Sequence, residues 1–217
     1  MHTIILALAV SAACLTLGLS NANAQSIYLN KDNITVAVGP GTSAGTFNNT
    51  FDNGATIEKV IDAPSASAPE FHNQATHIWF TAATVGGGLE LLFDFQIAYD
   101  ISTLHFWNYD GESFDVDNVD FTFFDATNTQ VGTLSISPAL GSSPAIFAQD
   151  IPLAAPLNVR YVTAFLSGSN RQVDFQNIGF TATVSVVPEP ASVAMLALGV
   201  SILFAGVARR RHEAGAA

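Results

Sequence analysis

Trp107, Tyr109, Asp110 and Arg171 are the residues of this chain best suited to holding a sugar. A pyranose offers an apolar face of C–H groups that stacks on an aromatic ring, and a belt of hydroxyls that a carboxylate or guanidinium group can hydrogen-bond. Trp107 and Tyr109 have the parity opposite to Leu104 and Phe106, so if the latter pair faces a core, the former faces outward or into a second layer. A second group is acidic: Asp110, Glu112, Asp115, Asp117 and Asp120. Such oxygens could collect calcium, but an EF-hand loop starting at Asp115 needs glycine at its sixth position and glutamate at its twelfth, where Asp120 and Ala126 stand. On an exposed loop the same carboxylates are simply solvated. Catalytic signatures are sparse: there is no His-Glu-x-x-His and no phosphate-cradling Gly-x-x-x-x-Gly-Lys. His72 and His77 are five apart and His105 stands apart, spacings typical of none of the usual metal sites. Paired glycosidase carboxylates meet only in space, so an acid-rich chain neither supports nor opposes them.

These residues sit in a chain that reads as strands. Leu89, Leu91, Phe93, Phe95 and Ile97 alternate with Glu90, Asp94 and Gln96, interrupted only by Leu92. Val119, Phe121 and Phe123 repeat the pattern, and Val159, Tyr161, Thr163 and Phe165 do so along 158–166. Turn signals separate these runs: Gly39-Pro40-Gly41, Asp52-Asn53-Gly54, Gly86-Gly87-Gly88, Asp110-Gly111, Ser137-Pro138 and Gly168-Ser169-Asn170. No sustained helical period occurs between Gln25 and Val187. Many short antiparallel strands predict an all-β sandwich or barrel, with most of the sixteen phenylalanines filling its interior. Cys14 is the only cysteine, so residues 25–187 form no internal disulfide and rely on packing. That segment holds four Lys and Arg against sixteen Asp and Glu, a net charge of −12 that repels phosphate backbones and argues against nucleic acid as a partner.

Three stretches in order resemble the discoidin-like, galactose-binding-fold family. They are Leu92-Phe93-Asp94-Phe95 with Tyr99-Asp100-Ile101 and Leu104 to Tyr109; Asn158-Val159-Arg160-Tyr161-Val162; and Ser167-Gly168-Ser169-Asn170 through Val173 to Ile178-Gly179-Phe180. The resemblance covers residues 56–184. It implies an eight-stranded jelly-roll β-sandwich over 56–187, preceded by N-terminal strands in 25–55, that binds glycans or surfaces through loops at one end. It also implies that the tryptophan of the aromatic strand is often buried, a competing role for Trp107. Arg160 itself reads as structural, its guanidinium paired within the sandwich. A structural calcium ion is part of the same expectation, with Asp62 and Asn177 as ligands. Asn177 stands where the family commonly has an acid, which thins the ligand set.

The two ends read as addresses. Ile4 to Leu19 is apolar and Ala22-Asn23-Ala24 has the small-x-small form that signal peptidase accepts, so residues 1–24 are expected to be a signal peptide, although His2 is the only candidate positive charge in its first region. At the other end Val187-Pro188-Glu189-Pro190 precedes an uncharged run, 191–208, and then Arg209-Arg210-Arg211. As a helix that run would rise about 27 Å, close to the hydrocarbon thickness of a bilayer. The arginines place residues 212–217 in the cytoplasm and everything before Pro188 across the inner membrane. This tail, 188–211, resembles the PEP-CTERM sorting signal of Gram-negative bacteria, which implies processing near Pro188 by a membrane-embedded exosortase. The combined reading is an exported protein of the cell surface or extracellular matrix that binds extracellular polysaccharide without catalysis. A secreted polysaccharide hydrolase and a structural matrix protein with no specific ligand are the rivals.

Overall fold

The computed structural model describes residues 25–48, 56–73 and 77–184, all within one compact unit that ends at Val184. The expected signal peptide 1–24, the sorting residues from Val187 to Arg211 with the span 191–208, and residues 212–217 lie outside the described residues. Among the described residues no helix is long and apolar enough to cross a membrane.

Among the described residues nine strands carry the fold: β1 Ser26–Leu29, β2 Thr35–Val38, β3 Gly45–Asn48, β4 Ile78–Ala82, β5 Gly88–Asn108, β6 Asn118–Phe124, β7 Gln130–Ile136, β8 Gln149–Ser167 and β9 Gln172–Val184. They hydrogen-bond in the order β3-β4-β9-β5-β8-β6-β7, with β1 added to β9 and β2 to β5. Every pairing is antiparallel. A single 3-10 helix, Ile57–Ile61, is the only helical segment among the described residues.

The long strand β5 joins the two parts of the fold. Its first half pairs with β2 and the C-terminal half of β8, and its second half, from Tyr99, pairs with β9 and the N-terminal half of β8. Between the halves the register shifts, Gln96 takes φ 66°, and its backbone N–H donates to Asp94 Oδ1 at 2.8 Å. An extra residue in one strand bends it and sharpens its twist, which lets one chain segment serve both sheet regions.

That bulge turns one expected core residue outward. Leu89, Leu91, Phe93 and Phe95 are buried as expected, Ile97 is 49% exposed, and Tyr99 and Ile101 resume the same inward parity. The register shift between Ile101 and Thr103 then moves the inward positions to Leu104 and Phe106. A similar correction applies to β8, where Val162, Ala164 and Leu166 are buried and Tyr161, Thr163 and Phe165 turn to the other face. Val119, Phe121 and Phe123 of β6 are buried as their period predicts. All nine strands contribute to one apolar cluster, in which Phe180 meets Phe93 at 5.6 Å and Phe95 at 5.0 Å, both edge-on. Each such buried ring or aliphatic side chain contributes about 1.5–3 kcal/mol, which stabilises the domain without a disulfide. On the outer side of the same sheet Trp107 packs with Ala63 and Ile146 in a smaller cluster.

Candidate functional site

The start of β4, the end of β5 and the early part of β9 converge, because Phe175 is paired with both Ile78 and Asn108. Around this junction His77, Trp79, Tyr109, Phe114 and Asp174 line a cleft of about 60 Å³. The Trp79 indole is fixed by donating Nε1–H to Gln172 Oε1 at 2.8 Å, and the Phe114 ring stands perpendicular to it at 5.8 Å. His77 Nδ1 lies 2.8 Å from the Asp174 carboxylate, and His72 contacts the His77 ring at 4.6 Å and the Tyr109 ring at 4.5 Å.

The wall formed by residues 109–117 is shaped by Asn108, 2% exposed. Its Oδ1 accepts from the backbone N–H groups of Tyr109 and Val116, while Nδ2 donates to the carbonyls of Val116 and Ala139. Phe114 N–H closes a turn onto the Gly111 carbonyl, and Asp174 N–H donates to the Phe114 carbonyl, tying the wall to β9. Phe114 is thereby held out at the mouth, 40% exposed.

The cleft is electrically negative. Burial raises the Asp174 carboxyl above its ordinary range, opposed by the hydrogen bond from His77. Burial and the charges of Asp174 and Asp110 raise the Tyr109 phenol. Asp115 behind the wall is pushed up to about 6 by burial, reinforced by Asp117 and Glu112.

Of the residues expected to hold a sugar, Tyr109 lines this cleft and Asp110 lies beside it, close enough to act on both Tyr109 and Asp174. Trp107 does not. It is 0% exposed, and its Nε1–H donates to the Ala68 carbonyl at 2.9 Å, so it has no free face for a ligand and belongs to the second-layer packing. Register shifts after Ile101 and at Trp107–Asn108 set this placement. Arg171 occupies the β8–β9 turn with φ 74° and donates to the Ala83 carbonyl at 3.3 Å. That turn is tied to the cleft wall through Asn170 Nδ2 on the Ser113 carbonyl and Ser169 N–H on Asp117. Arg160 pairs with Asp94 at 3.4 Å and lies over its neighbour Tyr161 at 4.9 Å. In the acidic run, Asp115 receives Asn108 Nδ2 at 3.4 Å, and Asp117 and Asp120 accept hydrogen bonds from Ser169 and Ser135.

Asp62 and Asn177 do meet, but their polar atoms serve each other and the chain. Asn177 Nδ2 donates to Asp62 Oδ1 and Asn177 Oδ1 accepts from Ala63 N–H, both at 3.0 Å. The Lys59 ammonium donates to Asp62 Oδ1 at 3.0 Å and Glu70 Oε2 at 2.8 Å. Calcium needs six to eight oxygen ligands, and an ammonium held between the two carboxylates is incompatible with it, so this donor set does not fit the ion.

Several groups here were not legible in the residues alone. Trp79 and Phe114 gave no motif, and Asp174 reaches His77 across 97 positions. His105, isolated in sequence, lies 2.7 Å from both Asp150 Oδ1 and Thr181 Oγ1 through its two ring nitrogens, a cross-strand relay on the sheet face. Gly41-Thr42-Ser43-Ala44-Gly45 has the Gly-x-Ser-x-Gly form, but it leads into β3 rather than a helix, and Ser43 Oγ accepts from Gly88 N–H at 3.1 Å, so it is not a nucleophile elbow.

Residues 186–211 match the PEP-CTERM protein-sorting motif. No curated protein matches the chain. Among solved structures, an F5/8 type C domain from Bacteroides fragilis is similar over 74% of this chain and 98% of its own, with a TM-score of 0.51 at 11% identity. The family 32 carbohydrate-binding module of C. perfringens NanJ, solved with galactose, gives 0.45 at 7% identity over 72% of this chain and 99% of its own. A family 32 module from a family 31 glycoside hydrolase of Clostridium perfringens gives 0.42 at 15% identity over 70% and 95%. The chain is an exported protein that carries a PEP-CTERM sorting motif at residues 186–211 behind an all-β domain of the discoidin-like fold.

Proposed function

We propose that the exported domain binds extracellular polysaccharide without catalysis, at the mouth of the cleft between β4, β9 and the 109–117 wall. The observation that carries this reading is the set of three rings, Trp79, Tyr109 and Phe114, around the polar pair His77 and Asp174. The enclosed space, about 60 Å³, is too small for a sugar ring, so a pyranose lies across the mouth against Phe114 and Trp79, with its hydroxyls toward Asp110 and the His77–Asp174 pair. Arg171, on the turn tied to the wall, extends this rim. Sorting through the membrane by an exosortase delivers the domain to the cell surface or matrix, where repeated weak contacts along a polymer sum to useful avidity.

Glycan-array binding by the purified protein tests the reading. Neutral pyranosides are expected to bind, and Phe114→Ala or Trp79→Ala to weaken them by tenfold or more, about 1.4 kcal/mol. Unchanged binding in both variants would remove the site. Release of reducing ends from purified exopolysaccharide would instead support the hydrolase reading, for which the His105–Asp150–Thr181 relay is the candidate group.

A further inference from the structure

We propose that His72, His77 and Asp174 form a binding site for a divalent transition ion of the zinc class on the floor of the same cleft. One ring nitrogen from each histidine and one carboxylate oxygen of Asp174 lie within 4.8 Å of one another. Tetrahedral ligands on a zinc ion at about 2.1 Å lie roughly 3.4 Å apart, so side-chain rotations that bring the widest pair together by about 1.4 Å close the set. His77 and Asp174 are buried, and both Asp174 oxygens lie 2.8 Å from His77 Nδ1. An ion taken between His77 Nδ1 and an Asp174 oxygen replaces this hydrogen bond, with the His77 proton then carried on Nε2. The aromatic contacts of His72 with His77 and Tyr109 hold the second imidazole beside the first.

The donor chemistry selects the ion. Two imidazoles and one carboxylate suit zinc, nickel, cobalt or copper, whereas calcium and magnesium require all-oxygen sets. Among the described residues the cleft is lined by no Lys or Arg, and the Asp174 carboxylate lies within it, so the lining suits a cation. A volume of about 60 Å³ leaves room for the ion with a water in its open coordination position. The ion shares His77 and Asp174 with the proposed sugar site but needs no sugar, so zinc binding and glycan binding can fail separately.

Calorimetric titration of chelator-treated protein with zinc chloride, without any sugar, tests the site. One ion per domain is expected. His72→Phe keeps the ring packing but removes the nitrogen ligand, and is expected to weaken zinc at least tenfold while leaving the melting temperature of the metal-free protein nearly unchanged. Cobalt(II) substituted into the wild type gives a second readout that needs no variant, through the visible bands of a nitrogen-ligated, low-coordinate ion. Absence of zinc binding by the wild type, a purely octahedral aquo-type cobalt spectrum, or equal affinity in His72→Phe would overturn the proposal. Glycan binding that persists in chelator after such a result would leave the carbohydrate reading intact.

Discussion

Asn108 sets the shape of the cleft without lining it. Its single amide serves two backbone N–H groups and two carbonyls, so the 109–117 wall can stand away from the sheet with its polar groups satisfied. Asp125 does comparable work in the β6–β7 turn, where Oδ1 accepts from Thr127 N–H and Oγ1–H and from Thr129 N–H. The Thr127 hydroxyl and the Thr129 and Thr127 amides hold the Asp125 carboxyl below its ordinary value of 3.8. A lowered carboxylate pKa means that the folded form binds fewer protons, so this contribution is present above about pH 4 and is lost as pH falls through the folded-state value. Asp125→Ala is therefore expected to lower the melting temperature more at pH 7 than in acid below the ordinary carboxylate range; an equal deficit at both pH values would contradict the charge-based account. At this scale the sequence was only partly legible. Tyr109 and Asp110, singled out because they follow an aromatic strand, lie at or beside the cleft, and Trp107 takes the second-layer place that parity leaves open beside an outward one. Trp79 and Phe114 were missed because a lone ring in a strand or loop has no spacing to report.

Elements explain the rest of the mismatch. Period-two alternation found β5, β6 and β8, since a half-buried strand must alternate, but it assumes an unbroken pleat. The bulge at Gln96 breaks that pleat and exposes Ile97, and the shift between Ile101 and Thr103 moves the inward positions from Ile101 to Leu104 and Phe106. Cross-strand partners far away in sequence impose such a shift, and the strand itself carries no mark of it. The 3-10 helix Ile57–Ile61 is a second case, because its position depends on Lys59 reaching Asp62 and Glu70. The Lys59 side chain is 16% exposed, so removing it leaves two partly buried carboxylates facing one another. Lys59→Met is expected to cost about 1–2 kcal/mol, between the values for surface and fully buried pairs. Because the ammonium occupies the space between these carboxylates, calcium added to chelator-treated wild-type protein is expected to leave its thermal midpoint unmoved. A calcium-dependent rise would show that the ion displaces Lys59 and that the expected Asp62–Asn177 site exists after all.

At the scale of the whole molecule, the most legible information concerned destination. The Val187 to Arg211 tail announces itself because a membrane-length apolar run with flanking prolines and arginines has few other uses, and residues 186–211 match the sorting motif. The all-β class was likewise readable from strand period and phenylalanine content, whereas the candidate cleft, assembled from β4, β9 and a connecting loop, exists only in three dimensions. The chain contains two tryptophans, one at the cleft and one in the packed second layer. Their indole N–H resonances therefore report the central claim separately. In a nitrogen-15 correlation spectrum recorded during titration with a binding glycan, the Trp79 signal is expected to shift progressively to saturation while the Trp107 signal stays in place. A stationary Trp79 signal at saturating glycan, or a shift confined to Trp107, would contradict the assignment of carbohydrate binding to this cleft.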